Sequence, residues 1–174
     1  AASPCAAPTT GVDVEAALGK AEDLFVGLDM EGFTRESDHA REVLLCLGEP
    51  LRPSVAAQFH RVEGLRVATE GFDKDSSLEF AAARTIEPDY ALGALASPKI
   101  NQLYGAVDLA ADVRNPVEAP SVGRLTLDGS IATSRSTTLP VIAQYADASG
   151  HVQWTARLSA SQPDRKSTRL NSSH

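Results

Sequence analysis

In the first half of the chain, apolar residues recur at spacings of three and four, which is the period of an amphipathic helix. The first stripe predicts a helix that ends at Gly32, because glycine readily adopts the left-handed conformation that terminates helices. Thr34 is then the predicted N-cap of a second helix, Pro53 lies near the start of a third, and Asp73 is the predicted N-cap of a fourth. The four stripes consist of Val14, Leu18, Ala21, Leu24, Phe25 and Leu28; Ala40, Val43, Leu44 and Leu47; Val55, Phe59, Val62, Leu65 and Ala68; and Leu78, Phe80, Ala81 and Ala83.

After residue 121 the apolar period changes to two, which is typical of strands with one buried face. Three segments alternate in this way: GRLTLDG, LPVIAQYA and HVQWTARL. The sequence DASG between the last two predicts a short hairpin turn. Three strands are close to the minimum for a stable sheet, so the pattern predicts an incomplete antiparallel β module.

Together these periods predict an α+β fold, with helices first and strands second. A fifth short helix is expected to begin at Pro98, and the following stretch carries two prolines without an apolar period, which is typical of a linker. The predicted divisions are a flexible N-terminal tail (1–12), a helical domain (13–110), a linker (111–121), the β module (122–163) and a C-terminal tail (164–174).

The two predicted helix pairs also share a sequence repeat. EGFTRES (Glu31–Ser37) and EGFDKDS (Glu70–Ser76) are identical at four of seven positions, with a register of 39 residues. A period of this length indicates a repeated supersecondary unit, here a pair of helices.

The second unit resembles a tetratricopeptide (TPR) repeat through the spacing of Gly64, Gly71, Phe80, Ala83 and Pro88. It departs from the family pattern at His60, where an aromatic residue is expected, at Glu63, where leucine is usual, and at Ser76, where alanine is usual. The first unit matches this pattern less well, and the resemblance covers about residues 13–90.

The TPR resemblance implies a concave groove, lined by the first helix of each pair, in which a peptide of a partner protein lies. Carried over to this chain, the groove residues of the second unit include Gln58, Arg61 and Leu65, and Arg61 is the one that would hold a peptide carboxylate. The alternative is that Leu65, like Leu24 and Leu28 of the first unit, packs inside the helical core.

The net charge and the N-terminal stretch of the chain limit which functions and compartments we expect for this protein. The net charge is −7, which excludes nucleic-acid binding through phosphates, and no apolar run is long enough to be a transmembrane segment.

The opening AASPCAAPTTG is typical of the mature end left by signal-peptide cleavage, which predicts a periplasmic or secreted protein; a gene fragment would look the same. In that setting Cys5 and Cys46 are candidates for a disulfide, the alternative being a buried Cys46 and a free Cys5. Pro4 disfavours a lipid anchor at Cys5.

The last eleven residues, DRKSTRLNSSH (164–174), differ in composition from the rest of the chain. They resemble the in-frame translation of a short-read sequencing adapter at every position. The alternative is a basic disordered tail. We therefore leave residues 164–174, with their glycosylation sequon, out of the functional argument.

The sequence contains no phosphate-binding loop, nucleophile elbow or histidine at metal-ligand spacing, so we expect neither a cofactor nor an enzyme. We expect a non-enzymatic protein–protein interaction scaffold of the bacterial cell envelope or secreted space, whose partner is an unknown protein. The alternative is a carbohydrate-binding module that acts through its β part. There Tyr145 and Trp154 would meet on one side of the sheet as a sugar-stacking platform.

Overall fold

The computed structural model describes residues 5–159 and shows an α+β fold. The predicted helices and strands occur in the expected order, with extra short strands that the sequence pattern does not indicate. The helices are α1 (Gly11–Val26), α2 (Met30–Leu45), α3 (Pro53–Thr69), α4 (Asp73–Ile86) and α5 (Pro98–Tyr104), with 3-10 turns at Gly93–Leu95 and Leu109–Ala111. The strands are β1 (Arg114–Pro116), β2 (Arg124–Leu127), β3 (Ser130–Ile131), β4 (Ser134–Ser136), β5 (Val141–Ala146) and β6 (Val152–Leu158).

The four long helices form two antiparallel pairs, α1 with α2 and α3 with α4. The two pairs lie side by side with α1 and α3 running in the same direction, since Glu15 contacts Arg52 and Glu22 contacts Gln58. A single helical core results, and it includes the fully buried Phe33, Phe59, Phe80, Leu18, Leu44 and Leu65.

Helices α3 and α4 approach each other closely at Gly64. A Cβ atom on Gly64 would lie 2.5 Å from the ring of Phe80, and Ser76 Oγ donates a hydrogen bond of 2.7 Å to the Gly64 carbonyl. Gly64 therefore lies at a close contact between the two helices.

The turn that connects α1 to α2 lies five residues earlier in the chain than the sequence predicts. Helix α1 ends at Val26 rather than Gly32, and Asp29 rather than Thr34 caps α2, with its Oδ1 accepting from the Gly32 amide at 2.9 Å. The prediction failed because the turn residue with positive φ is Leu28, not a glycine. Asp73 is likewise the first residue of α4 instead of its N-cap.

As a consequence, the two repeated segments, Glu31–Ser37 and Glu70–Ser76, are not structurally equivalent. Phe33 lies inside α2 and is fully buried, whereas Phe72 precedes α4 and is 56% exposed. The matched starts of α1 and α3 are 42 residues apart and those of α2 and α4 are 43 apart (53 − 11 and 73 − 30), compared with 39 for the sequence repeat.

The antiparallel sheet has the strand order β3-β2-β5-β6, and β1 pairs with β4 in a separate ribbon. The three predicted strands are β2, β5 and β6, while β1 lies within the predicted linker 111–121. One face of the sheet carries its own apolar cluster, and the other face turns Ile142, Gln144 and Thr155 toward the helices.

The sheet packs directly on the α2–α3 segment, which we define as residues 46–53. Gln144 Oε1 accepts from the Leu51 amide at 2.7 Å, and Gln144 Nε2 donates to the Glu49 carbonyl at 3.0 Å. A Cβ atom on Gly129 would lie 2.5 Å from the Leu51 carbonyl oxygen. The helical domain and the β module thus share one interface.

The described part of the predicted tail is bound to the same segment. Cys5 and Cys46 form a disulfide, the Thr9 amide donates to the Cys46 carbonyl at 2.9 Å, and the Gly48 amide donates to the Thr9 carbonyl at 3.0 Å. Thr10 caps α1. Between residues 5 and 159 no helix is long and apolar enough to cross a membrane. The predicted adapter-derived segment 164–174 lies outside the described residues.

Candidate functional site

The predicted peptide groove is closed by the chain itself. Leu65 is fully buried in the helical core, and Gln58 Nε2 donates to Glu22 of α1 at 2.5 Å. Arg61 is 3% exposed, forms a 2.9 Å ion pair with Glu87, and holds its guanidinium 3.5 Å from the ring centre of Tyr90. These three residues therefore do not line an open groove. The alternative of packing inside the helical core holds for Leu65 and, in part, for Leu24, but it is wrong for Leu28, which is exposed.

The segment after α4 covers this part of the helical layer. Leu95 and Leu103 are buried in the helical core, and the 3-10 turn at Gly93–Leu95 contacts α1. The ring of Tyr104 lies 5.4 Å from that of Phe80. The short helix α5 thus closes the open side of the second helix pair, as terminal caps do in helical arrays.

Tyr145 and Trp154 are directly paired across β5 and β6, on the sheet face away from the helices. Their ring centres are 6.3 Å apart and their planes differ by 24°, so the two half-buried rings are close to parallel. Tyr145 Oη donates to the Val122 carbonyl at 3.0 Å, which fixes that ring. The two rings are thus stacked against each other across the two strands.

The sequence does not predict the most polar buried cluster, which lies between the helices and the sheet. His60 Nδ1 is 2.8 Å from Glu79 Oε1, and its Nε2 is 2.8 Å from Asp128 Oδ1. Burial lowers the pKa of His60, but the charges of Asp128 and Glu79 and their hydrogen bonds outweigh burial and raise the pKa from 6.5 to about 10. The imidazole is therefore a cation at neutral pH.

Glu63 extends this cluster with a second set of ion pairs. It is 1% exposed and accepts from Arg41 Nε at 2.6 Å and from Arg41 Nη2 at 2.9 Å. Arg157 Nη2 of β6 lies 2.9 Å from Glu63 and 3.9 Å from Glu79. Charges of opposite sign alternate through the cluster, so each buried carboxylate has a cationic partner.

The imidazole of His60 is held between two carboxylates. Both ring nitrogens of His60 are occupied by carboxylates, so the imidazolium has no lone pair to accept a proton. A cavity of about 230 Å³ adjoins His60, Glu79 and Arg157, but its other lining residues contribute apolar side chains and a single hydroxyl. Within residues 5–159, no group of three or more His, Cys, Asp or Glu side chains could hold a metal ion.

A larger groove of about 880 Å³ lies between α1 and α2. Its lining is mostly charged, and the Lys20–Glu36 ion pair joins the two helices there at 3.3 Å. Carboxylates and cations are mixed along it, which is typical of a solvated helix surface.

The two helix-pair turns have the same backbone geometry with different residues. In the first turn, the Leu28 amide donates to the Phe25 carbonyl and the Asp29 amide to the Leu24 carbonyl. In the second turn, the Gly71 and Phe72 amides donate in the same way to residues three and five positions earlier, Ala68 and Val67. Both are Schellman turns, in which the residue with positive φ is normally glycine.

Leu28 occupies the glycine position of its turn. Its φ is +62°, whereas the matched Gly71 has φ +88°. A left-handed conformation costs a residue with a Cβ atom about 1 kcal/mol, and Leu28 gains no burial in return, since it is 82% exposed. Neither folding nor solubility explains a leucine here.

Other apolar side chains are exposed in the two turns. Arg66, near the end of α3, donates to the Thr34 carbonyl at 3.0 Å, so the end of α3 lies beside the start of α2 and both turns are at the same end of the helical layer. We define the turn surface as the four exposed apolar residues of these turns, Val26, Leu28, Met30 and Phe72. Sequence reasoning missed it because it assigned Leu28 to a helix stripe.

We compared the chain with known protein families, curated proteins and solved structures, and found no significant match in any of the three.

Proposed function

We propose that this chain is a non-enzymatic protein–protein interaction scaffold of the bacterial cell envelope or secreted space, and that it docks its partner through the turn surface. The observation that carries the proposal is Leu28, an exposed leucine held at positive φ where the matching turn has Gly71. A strained apolar residue on the surface is favoured when its side chain contacts a partner.

The rest of the molecule supports a scaffold role because it holds the turn surface on a fixed frame. The helical core lies behind both turns, and α5 closes the open side of the second helix pair. The Cys5–Cys46 disulfide supports an oxidising compartment, since such bonds persist mainly outside the cytosol.

Site-specific photo-crosslinking tests the proposal. A benzophenone amino acid is placed at Phe72, on the turn surface, and in a matched control at Ile131, which is 67% exposed on β3. In cells that produce the protein natively, we expect one discrete protein adduct from position 72 that is absent from position 131. Equal adducts from the two positions, or none from position 72, would refute the proposal.

A second candidate function is glycan binding, favoured by the near-parallel rings of Tyr145 and Trp154. We expect Trp154→Ala to abolish retention on an insoluble polysaccharide such as peptidoglycan or cellulose, because stacking on a sugar ring requires an aromatic face. Ile131→Ser serves as the surface control. If Trp154→Ala and the wild type elute together from every matrix, this candidate is excluded.

A further inference from the structure

Most of the charged residues in the two turns are acidic. Carboxylates flank the first turn at Asp23, Asp29 and Glu31, and no Lys, Arg or His occurs between residues 23 and 31. The second turn carries Glu70, Asp73 and Asp75 against the single cation Lys74. All seven charged residues are exposed.

Several of these carboxylates are left without a counter-charge. Glu70 pairs with Arg66 at 2.6 Å, and Asp73 pairs with Lys99 at 3.3 Å. Asp23, Glu31 and Asp75 form no ion pair with any residue in the 5–159 range. An apolar centre with unneutralised acid around it complements a surface with an apolar centre and basic surroundings.

This charge pattern disfavours two other occupants. A second copy of the chain would bring two acidic rims together, and like charges placed opposite each other oppose association. An anionic membrane surface would repel the same rim.

Resting on the function proposed above, we infer that the turn surface binds a basic amphipathic helix of a partner protein. Its apolar stripe contacts Leu28 and Phe72, and lysine or arginine side chains on either side of the stripe face Glu31 and Asp75. A helix fits this arrangement because it presents an apolar stripe with charged positions along both of its borders.

Titration with designed peptides tests the inference. The probe is a fluorescent amphipathic helix of leucine and lysine, and the matched control replaces every lysine with glutamine. We expect the lysine peptide to bind the wild type more tightly than the glutamine peptide and to lose affinity as sodium chloride is raised, because salt screens exposed charges.

Variants connect that binding to the turn surface. Leu28→Gly should weaken the lysine peptide about tenfold, the effect of removing one buried leucine from an interface, without lowering the melting temperature, since Gly71 shows that glycine suits this turn. Phe72→Ser should act similarly.

Glu31→Gln combined with Asp75→Asn should weaken binding about fivefold. Ile131→Ser and the exposed Glu118→Gln are controls that should leave binding unchanged.

The outcomes separate this inference from the proposed function. If the glutamine peptide binds as tightly and still depends on Leu28, the turn surface docks a partner but a basic one is excluded. If neither peptide binds while position 72 still crosslinks a protein, the inference fails and the scaffold proposal stands. If position 72 crosslinks nothing as well, both fail. A concentration-dependent dimer in sedimentation, lost in Leu28→Gly, would identify a second copy as the occupant and overturn the inference.

Discussion

His60 Nε2 lies 2.8 Å from Oδ1 of Asp128, a residue 68 positions further along the chain, and this contact joins α3 to the β2–β3 turn. Asp128 is itself at positive φ in that turn, and its Oδ1 also accepts from the Ile142 amide at 2.9 Å. One carboxylate therefore holds a tight turn, a central strand and a helix together.

The contact predicts how stability depends on pH. The pKa of His60 rises from 6.5 to about 10 on folding, so its stabilisation is complete below pH 6.5 and is lost as the pH rises through about 10. We expect the free energy of unfolding, measured by urea denaturation, to fall steadily from pH 7 to pH 10. His60→Gln, which does not titrate, should be less stable at pH 7 and show a flatter profile. Parallel profiles for the two proteins would contradict the assignment.

The second prediction concerns Glu63, which lies between Arg41 and Arg157. Glu63→Gln keeps the shape of the side chain and removes its charge. Two partly buried guanidinium groups are then left with only longer carboxylate contacts, Arg41 with Asp38 at 3.6 Å and Arg157 with Glu79 at 3.9 Å. We expect a loss of about 3 kcal/mol in the free energy of unfolding, the lower end for a broken buried pair, because both arginines retain some solvent contact. Glu118→Gln, on an exposed loop, should change it by less than about 0.5 kcal/mol. If Glu63→Gln and Glu118→Gln lowered the free energy of unfolding by similar amounts, the ion pairs of Glu63 would not stabilise the protein.

The third prediction uses two helical glycines with opposite surroundings. Gly64→Ala would place a Cβ atom 2.5 Å from the Phe80 ring, and we expect a loss of about 1–3 kcal/mol because α3 and α4 must separate. Gly19→Ala in α1 meets no atom within 4 Å, so it should gain about 0.5–1 kcal/mol from helix propensity. Chemical denaturation of the two variants measures both changes. A gain in Gly64→Ala would mean that the helices do not approach this closely.

Much of the fold could be predicted from the sequence, because apolar periodicity reports which side of an element is buried. The stripe of α3 and the alternation in β5 each predicted their element, and Pro53 and Pro98 stand at the starts of α3 and α5 as expected. The first turn could not be predicted in this way. It depends on Leu28 adopting a conformation that sequence reasoning assigns to glycine, so the pattern carried α1 on to Gly32.

The departures from the TPR pattern were the most informative positions, although their meaning required the sheet. His60 and Glu63 stand where the TPR pattern has an aromatic residue and a leucine, and they face Asp128 and Arg157 of the β module. Ser76 replaces an alanine and donates to the Gly64 carbonyl. A polar residue in an apolar stripe signals a buried polar partner, but its partner here lies up to 94 residues away and is not encoded in any local period.

The final prediction concerns the disulfide, which closes a loop with a sequence separation of 41 residues. Loop-closure entropy predicts that Cys5→Ser with Cys46→Ser lowers the free energy of unfolding by about 4 kcal/mol. The effect should be strongest at the α2–α3 segment, because Thr9 holds it on one side and Gln144 on the other.

Native-state hydrogen exchange of wild-type protein, with and without reductant, measures this local effect. The Leu51 amide, which donates to Gln144, should exchange faster on reduction by a larger factor than the Phe80 amide, which lies in the core of α4. Leu51 then reports local opening of the interface between helices and sheet, and Phe80 reports global unfolding. Equal acceleration at both amides would show that the disulfide stabilises the whole fold uniformly and does not specifically secure the sheet.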